Sequence, residues 1–90
     1  MKDAIKSNFT QIIEPCGEGK NLVAITKPSK REEVIEKVVS NLDKIAMKSN
    51  VFVKGYYRGI EIVIYTSGKI MLKNIRNREE GEEILEKLLE

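Results

Sequence analysis

Residues 51–75 read Val-Phe-Val-Lys-Gly-Tyr-Tyr-Arg-Gly-Ile-Glu-Ile-Val-Ile-Tyr-Thr-Ser-Gly-Lys-Ile-Met-Leu-Lys-Asn-Ile. Three β-rich runs, Val51 to Tyr57, Ile60 to Thr66 and Lys69 to Ile75, are separated by Arg58-Gly59 and Ser67-Gly68. Glycine supplies the positive φ that tight turns need, so the stretch predicts three consecutive hairpin-linked strands. Strand side chains alternate between faces. Ile60, Ile62, Ile64, Ile70 and Leu72 therefore point one way, and Glu61, Val63, Tyr65, Met71 and Lys73 the other. On the strand from Val51 the matching outward set is Phe52, Lys54 and Tyr56.

Upstream, Asn21 to Lys27 is a short apolar β-rich run closed by Pro28, which cannot donate to a ladder. Ser29-Lys30-Arg31-Glu32 has the form of a capping box. From it a helix is expected to run to about residue 48, with Val34, Ile35, Val38, Val39, Leu42, Ile45 and Ala46 as its buried stripe. Downstream, Asn77-Arg78-Glu79-Glu80 repeats the capping pattern, and Ile84, Leu85, Leu88 and Leu89 give a closing helix its apolar face. Gly81 lies on that face, where close approach of the helix backbone to the sheet accounts for a residue that costs a helix about 1 kcal/mol.

The order strand, helix, three strands, helix specifies an α+β domain: an antiparallel, curved sheet of about four strands with two helices packed on one face. Residues 21–90 form this core and the 90-residue chain is one domain. Residues 1–20 read two ways. Ala4, Ile5, Phe9, Ile12 and Ile13 suit an amphipathic helix, while Phe-Thr-Gln-Ile-Ile equally suits a strand leading into Pro15 and Gly17.

Composition narrows the chemistry. The chain has no histidine and one cysteine, Cys16, which removes intrachain disulfides, the usual zinc ligand sets and His-based acid–base or nucleophile pairs. No catalytic residues, cofactor or metal are expected. No apolar run reaches the ~20 residues of a membrane span and no secretory pattern opens the chain, so a cytoplasmic protein is expected. Richness in Lys, Glu and Ile with no Trp is the composition of thermophilic proteins. Cys16-Gly17-Glu18-Gly19-Lys20 misses the spacing of a phosphate loop and reads as a plain turn.

The outward face would display Phe52, Tyr56, Val63, Tyr65 and Met71 among Lys54 and Lys73. Aromatic surfaces with interleaved cations stack bases and track phosphates. Charge is segregated as well: residues 48–78 carry Lys48, Lys54, Arg58, Lys69, Lys73, Arg76 and Arg78 against Glu61 alone. Residues 79–90 carry Glu79, Glu80, Glu82, Glu83, Glu86 and Glu90 against Lys87, so the net +2 conceals a basic sheet and an acidic helix. The plainer account is that acidic residues favour helix N-termini, lysines protect strand edges, and the aromatics pair across strands or bury in a dimer.

From Asn21 onward the chain resembles one half-repeat of the TATA-box-binding protein fold. Asn21-Leu-Val-Ala-Ile-Thr resembles its first strand, Ile60-Glu-Ile-Val-Ile-Tyr-Thr-Ser-Gly-Lys69 its strand ending in an aromatic and Ser-Gly-Lys, and Glu79 to Leu89 its closing helix. The hairpin is similar to that in the N-terminal domain of type-three ribonucleases H. The resemblance implies that Tyr65 meets nucleic-acid bases and that Ser67 and Lys69 contact phosphate. It further implies that Asn21, Val23, Val63, Met71 and Lys73 lie on one concave surface. The chain departs from the family in a shorter first-helix region, in Glu61 on the face, and in having only Phe52 near the place of the second wedging aromatic. It holds one half where the family joins two, and a homodimer would complete the saddle. The expected function is non-enzymatic binding of DNA or RNA through this face. The alternative is an assembly protein that buries the same face against itself or another protein.

Overall fold

The computed structural model describes residues 3–13 and 21–90. Helix α1 (Asp3–Asn8) runs directly into β1 (Phe9–Ile13), and β2 (Leu22–Thr26) returns beside it. A 3₁₀ turn (Pro28–Lys30) opens α2 (Arg31–Ser40). Four strands follow, β3 (Lys44–Lys48), β4 (Phe52–Tyr57), β5 (Ile60–Tyr65) and β6 (Lys69–Leu72), and α3 (Arg78–Leu88) closes the chain. The antiparallel sheet has the order β1-β2-β6-β5-β4-β3.

The architecture is α+β as expected, with a larger sheet and one more helix than the sequence indicated. The meander lies where the glycines put it. Arg58 (φ 51°) and Gly59 (φ 80°) form the first turn, both in the left-handed region that the strand twist favours in a two-residue hairpin. The N-terminal segment, legible as helix or strand, is both in turn. Ile5 and Phe9 are buried with the main core, so these residues extend the domain rather than hang from it. Cys16, Gly17 and the surrounding turn motif lie outside the described residues.

The helix expected to continue to residue 48 ends at Ser40, and Lys44–Lys48 is instead an edge strand. Three contacts explain the break. The Asn41 side-chain amide donates to the Leu88 carbonyl at 2.8 Å and the Glu90 carbonyl at 3.2 Å, fixing the end of α2 against the end of α3. Asp43 Oδ2 accepts the Arg58 backbone N–H at 2.7 Å, which brings the chain to the β4–β5 hairpin. From there, pairing with β4 satisfies a row of backbone groups that a longer helix would have left open. The capping box at Ser29 does not form either. Pro28 starts the 3₁₀ turn, Ser29 lies inside it, and α2 begins without a side-chain cap. At α3 the cap is real: Asn77 Oδ1 accepts the Glu80 N–H at 2.9 Å, and Glu80 Oε1 accepts the Arg76 N–H at 2.8 Å.

One face of the sheet carries the core. Leu22, Ala24, Ile62, Ile64, Ile70 and Leu72 are buried there against Ile5 of α1, Val34 and Val38 of α2, and Ile84, Leu85 and Leu88 of α3. Burying each such side chain stabilises the fold by about 1.5–3 kcal/mol before entropy is counted. α3 approaches closely because of Gly81, where a Cβ would lie 2.6 Å from Leu22 Cδ1 and 2.7 Å from Ile75 Cδ1. Both neighbours are fully buried, so making room for a larger side chain would disturb the core. Thr26 is buried in this layer too, and its hydroxyl has no hydrogen-bond partner among the described residues.

Two substitutions test this packing by urea unfolding. Gly81→Val should cost about 1–3 kcal/mol by overfilling the helix–sheet contact. Thr26→Val, which removes an unpaired buried hydroxyl at nearly constant shape, should gain about 1 kcal/mol. A destabilised Thr26→Val protein would show that the hydroxyl is in fact satisfied.

Candidate functional site

The opposite face of the sheet is built by register. One row crosses all six strands: Ile13 opposite Val23, Val23 opposite Met71, Met71 opposite Val63, Val63 opposite Lys54, and Lys54 opposite Met47. It is apolar except for Lys54. On one side of it, Gln11, Ile25 and Lys69 are aligned, and Tyr65 lies opposite Phe52. On its other side, Lys44, Tyr56 and Glu61 are aligned, with Lys73 joined to Glu61 through its backbone N–H. Among the described residues the helices contribute their buried side chains to the other face, and most of these outward side chains are half-buried. Val63 is buried, at 5 % exposed, enclosed at the centre of its row and separate from the main core, whereas Gln11, Ile13, Lys44 and Met47 at the two edges are exposed.

Of the sequence-predicted site residues, Val23, Phe52, Lys54, Tyr56, Val63, Tyr65, Lys69, Met71 and Lys73 share this face. Ser67 sits exposed in the β5–β6 turn, at the end of the face next to Tyr65 and Lys69. Asn21 precedes β2, and its Oδ1 accepts the Asn74 backbone N–H at 3.2 Å, a contact that ties β2 to the segment after β6. Gln11, Ile13, Ile25, Lys44 and Met47 complete the surface. Val23 was placed by the family resemblance, and alternation along β2 would have put Ile25 beside it, whereas the remaining four sit on the two strands that the sequence did not resolve.

Two clusters give the face its chemistry. In the first, the Phe52 and Tyr65 rings stand with centroids 6.0 Å apart and planes inclined by 50°. Lys69 Nζ lies 5.4 Å from the Tyr65 centroid, a cation held over a ring face, and among the described residues Lys69 is in no ion pair. In the second, Glu61 Oε2 lies 2.9 Å from Lys73 Nζ and 3.8 Å from Lys54 Nζ. The Lys73 contact holds the Glu61 carboxyl below its ordinary range, against the opposing effect of partial desolvation and with help from Lys54. The same contact raises Lys73 above its ordinary value. One carboxylate thus occupies two of the lysines that sequence reasoning assigned to phosphate.

The helix layer on the far side has the opposite character. Glu80 is paired with Arg76 at 3.0 Å, Glu82 with Arg78 at 2.6 Å and Glu90 with Lys87 at 3.4 Å, while Glu79 and Glu83 stand exposed. Glu80 is held ionised below its usual range, first by the Arg76 backbone N–H and then by its guanidinium. Among the described residues no cluster of three or more potential metal-ligating side chains occurs, and no helix is long and apolar enough to cross a membrane. No protein-family model, curated protein or solved structure matches the chain.

Glu61 is the titratable centre of the face, and the sign of its shift can be read directly. Because its folded value is depressed, its contribution to stability is present above the ordinary glutamate value and is lost as pH falls through the lowered one. A side-chain carboxyl NMR titration should place its midpoint below the ordinary glutamate value. Lys73→Met should move that midpoint upward, and an unmoved midpoint would remove Lys73 as the cause.

Proposed function

We propose that the chain is a cytoplasmic, non-enzymatic nucleic-acid-binding module that uses the sheet face opposite its helices. The observation that carries this reading is the aromatic and cationic cluster of Phe52, Tyr65 and Lys69 on a sheet face whose far side is acidic. Stacked aromatics take bases irrespective of sequence, and lysines at their margin take phosphate. A molecule polarised in this way also meets a polyanion in the right orientation, because the acidic helix layer is repelled. The likeness to a TATA-box-binding half-repeat adds a second support. Strand, helix, meander and helix follow one another between Leu22 and Leu88, and Tyr65, Ser67 and Lys69 gather at one hairpin. The four-strand meander differs from the three strands on which that likeness was drawn. The lack of histidine anywhere in the chain argues against a catalyst.

The assembly reading draws on a different observation, the apolar row from Ile13 to Met47. Its end members are 45 % and 53 % exposed, and a second copy laid face to face would cover them.

An amide-resolved NMR titration with short mixed-sequence oligonucleotides, at low and raised salt, tests both. Shifts concentrated on the outward residues of β2, β4, β5 and β6, weakening with salt, are expected. Lys69→Ala/Lys73→Ala should lower the slope of log K against log salt by about 0.7 for each of the two lysines that meets a phosphate of a single strand. A double variant that bound as the wild type does would remove the basis for this site. Concentration-dependent dimerisation lost on Met47→Lys, with no oligonucleotide binding, would put the assembly reading in its place.

A further inference from the structure

We infer that the nucleic acid taken by this face is single-stranded, with two consecutive bases splayed onto Tyr65 and Phe52 and the adjoining phosphate on Lys69. The inference rests on the nucleic-acid reading and specifies its ligand.

The rings decide it first. Neighbouring bases in a duplex are parallel and ~3.4 Å apart. Two platforms inclined by 50° with centroids 6.0 Å apart cannot each receive one base of a parallel stack. They can receive two bases whose mutual stacking has already been given up, which is the state of a single strand and not of a duplex interior. The strand spacing explains why the platforms are so placed. Phe52 and Tyr65 are cross-strand partners on β4 and β5, so their separation is that of adjacent strands, ~4.8 Å at the backbone and a little more at the rings.

Sheet width gives an independent argument. Six strands span about 24 Å. A B-form major groove is ~12 Å wide and a minor groove ~6 Å, so the face cannot descend to base edges in an undeformed duplex. An undeformed duplex could meet the face only through its two phosphate backbones, which leaves the rings without a base to stack on. Of the other cations on the face, Lys54 lies in the apolar row and Lys73 on its far side from Lys69, both within ion-pair distance of Glu61, while Lys44 lies farther off on the edge strand β3. Lys69 is in no ion pair among the described residues and is the cation beside the ring pair, so a phosphate contact is available where the bases would stack. A lone backbone passing Lys69, with its bases turned onto the rings and the apolar row beyond, matches that placement. Lys69 swings from the Tyr65 ring to the phosphate as a base arrives.

Fluorescence anisotropy with dye-labelled oligothymidine, oligouridine and a mixed-sequence duplex of equal length tests the inference. Both single strands should bind at least about ten-fold more tightly than the duplex, and Tyr65→Leu and Phe52→Leu should each weaken single-strand binding by about ten-fold. Leucine keeps these half-buried positions apolar, and unchanged unfolding midpoints would show that the fold is kept. Phe52→Trp, which retains a ring face, should keep the affinity, and its indole emission should be quenched as oligothymidine is added. Duplex binding equal to or tighter than single-strand binding, or wild-type affinity in both leucine variants, would overturn the inference and leave nucleic-acid binding standing. Absence of binding to all three probes would overturn both.

Discussion

The backbone pairing of β2 with β6 is the constraint on which the rest of the molecule depends. It sets Leu22 opposite Leu72 and Ala24 opposite Ile70, and so joins the N-terminal unit of α1, β1 and β2 to a meander that is otherwise local in sequence. Both ends of the pairing are fixed by further contacts. Thr26 N–H donates to the Gly68 carbonyl at 3.0 Å at one end, and Asn74 N–H donates to Asn21 Oδ1 at 3.2 Å at the other. A one-residue slip would turn Val23 and Ile25 into the core and Leu22 and Ala24 out of it. It would also lift α3, since Gly81 lies against Leu22. The core and the candidate site are therefore two consequences of one register.

That dependence explains which parts of the structure could be read from the sequence. Hairpins are local, and Arg58-Gly59 and Ser67-Gly68 announce them in consecutive residues, so β4 to β6 and the sorting of their side chains were legible. The closing helix was legible because Asn77 and Glu80 cap it within one turn. The segment after Ser40 was not. Leu42, Ile45 and Ala46 continue a helical spacing by coincidence, and nothing local reveals that Asn41 will be held by the far end of α3 or Asp43 by the β4–β5 turn. Residues 3–13 were ambiguous for a related reason, because six residues of helix and five of strand are each too short to show a period.

The site divides along the same line. Alternation within the meander placed Phe52, Lys54, Tyr56, Val63, Tyr65, Met71 and Lys73 together, and the two ends of the surface were lost with β1 and β3. Charge was legible in sum and not in detail. Glu61 stands out in the sequence as the one anion among the basic residues of 48–78, but its partners lie on different sides of β5, Lys54 on β4 and Lys73 just after β6. Which cations on the face are neutralised is a property of the folded sheet.

Edge protection accounts for some of the lysines and not for others. Lys44 and Lys48 are the first and last residues of β3, an exposed edge strand with a register shift after Ile45, and there positive charge discourages pairing with another chain whatever else it does. The same explanation fails for β6, which lies between β2 and β5 and has no free edge. Lys73, just beyond β6, has Glu61 to pair with. Lys69 is on an interior strand, in no ion pair among the described residues, and set over an aromatic ring that itself faces a second ring. Neither strand stability nor solubility requires a cation there, since a threonine or valine would suit an interior strand better. The nucleic-acid reading proposed above gives that cation a role, with phosphate for Lys69 and bases for the two rings beside it.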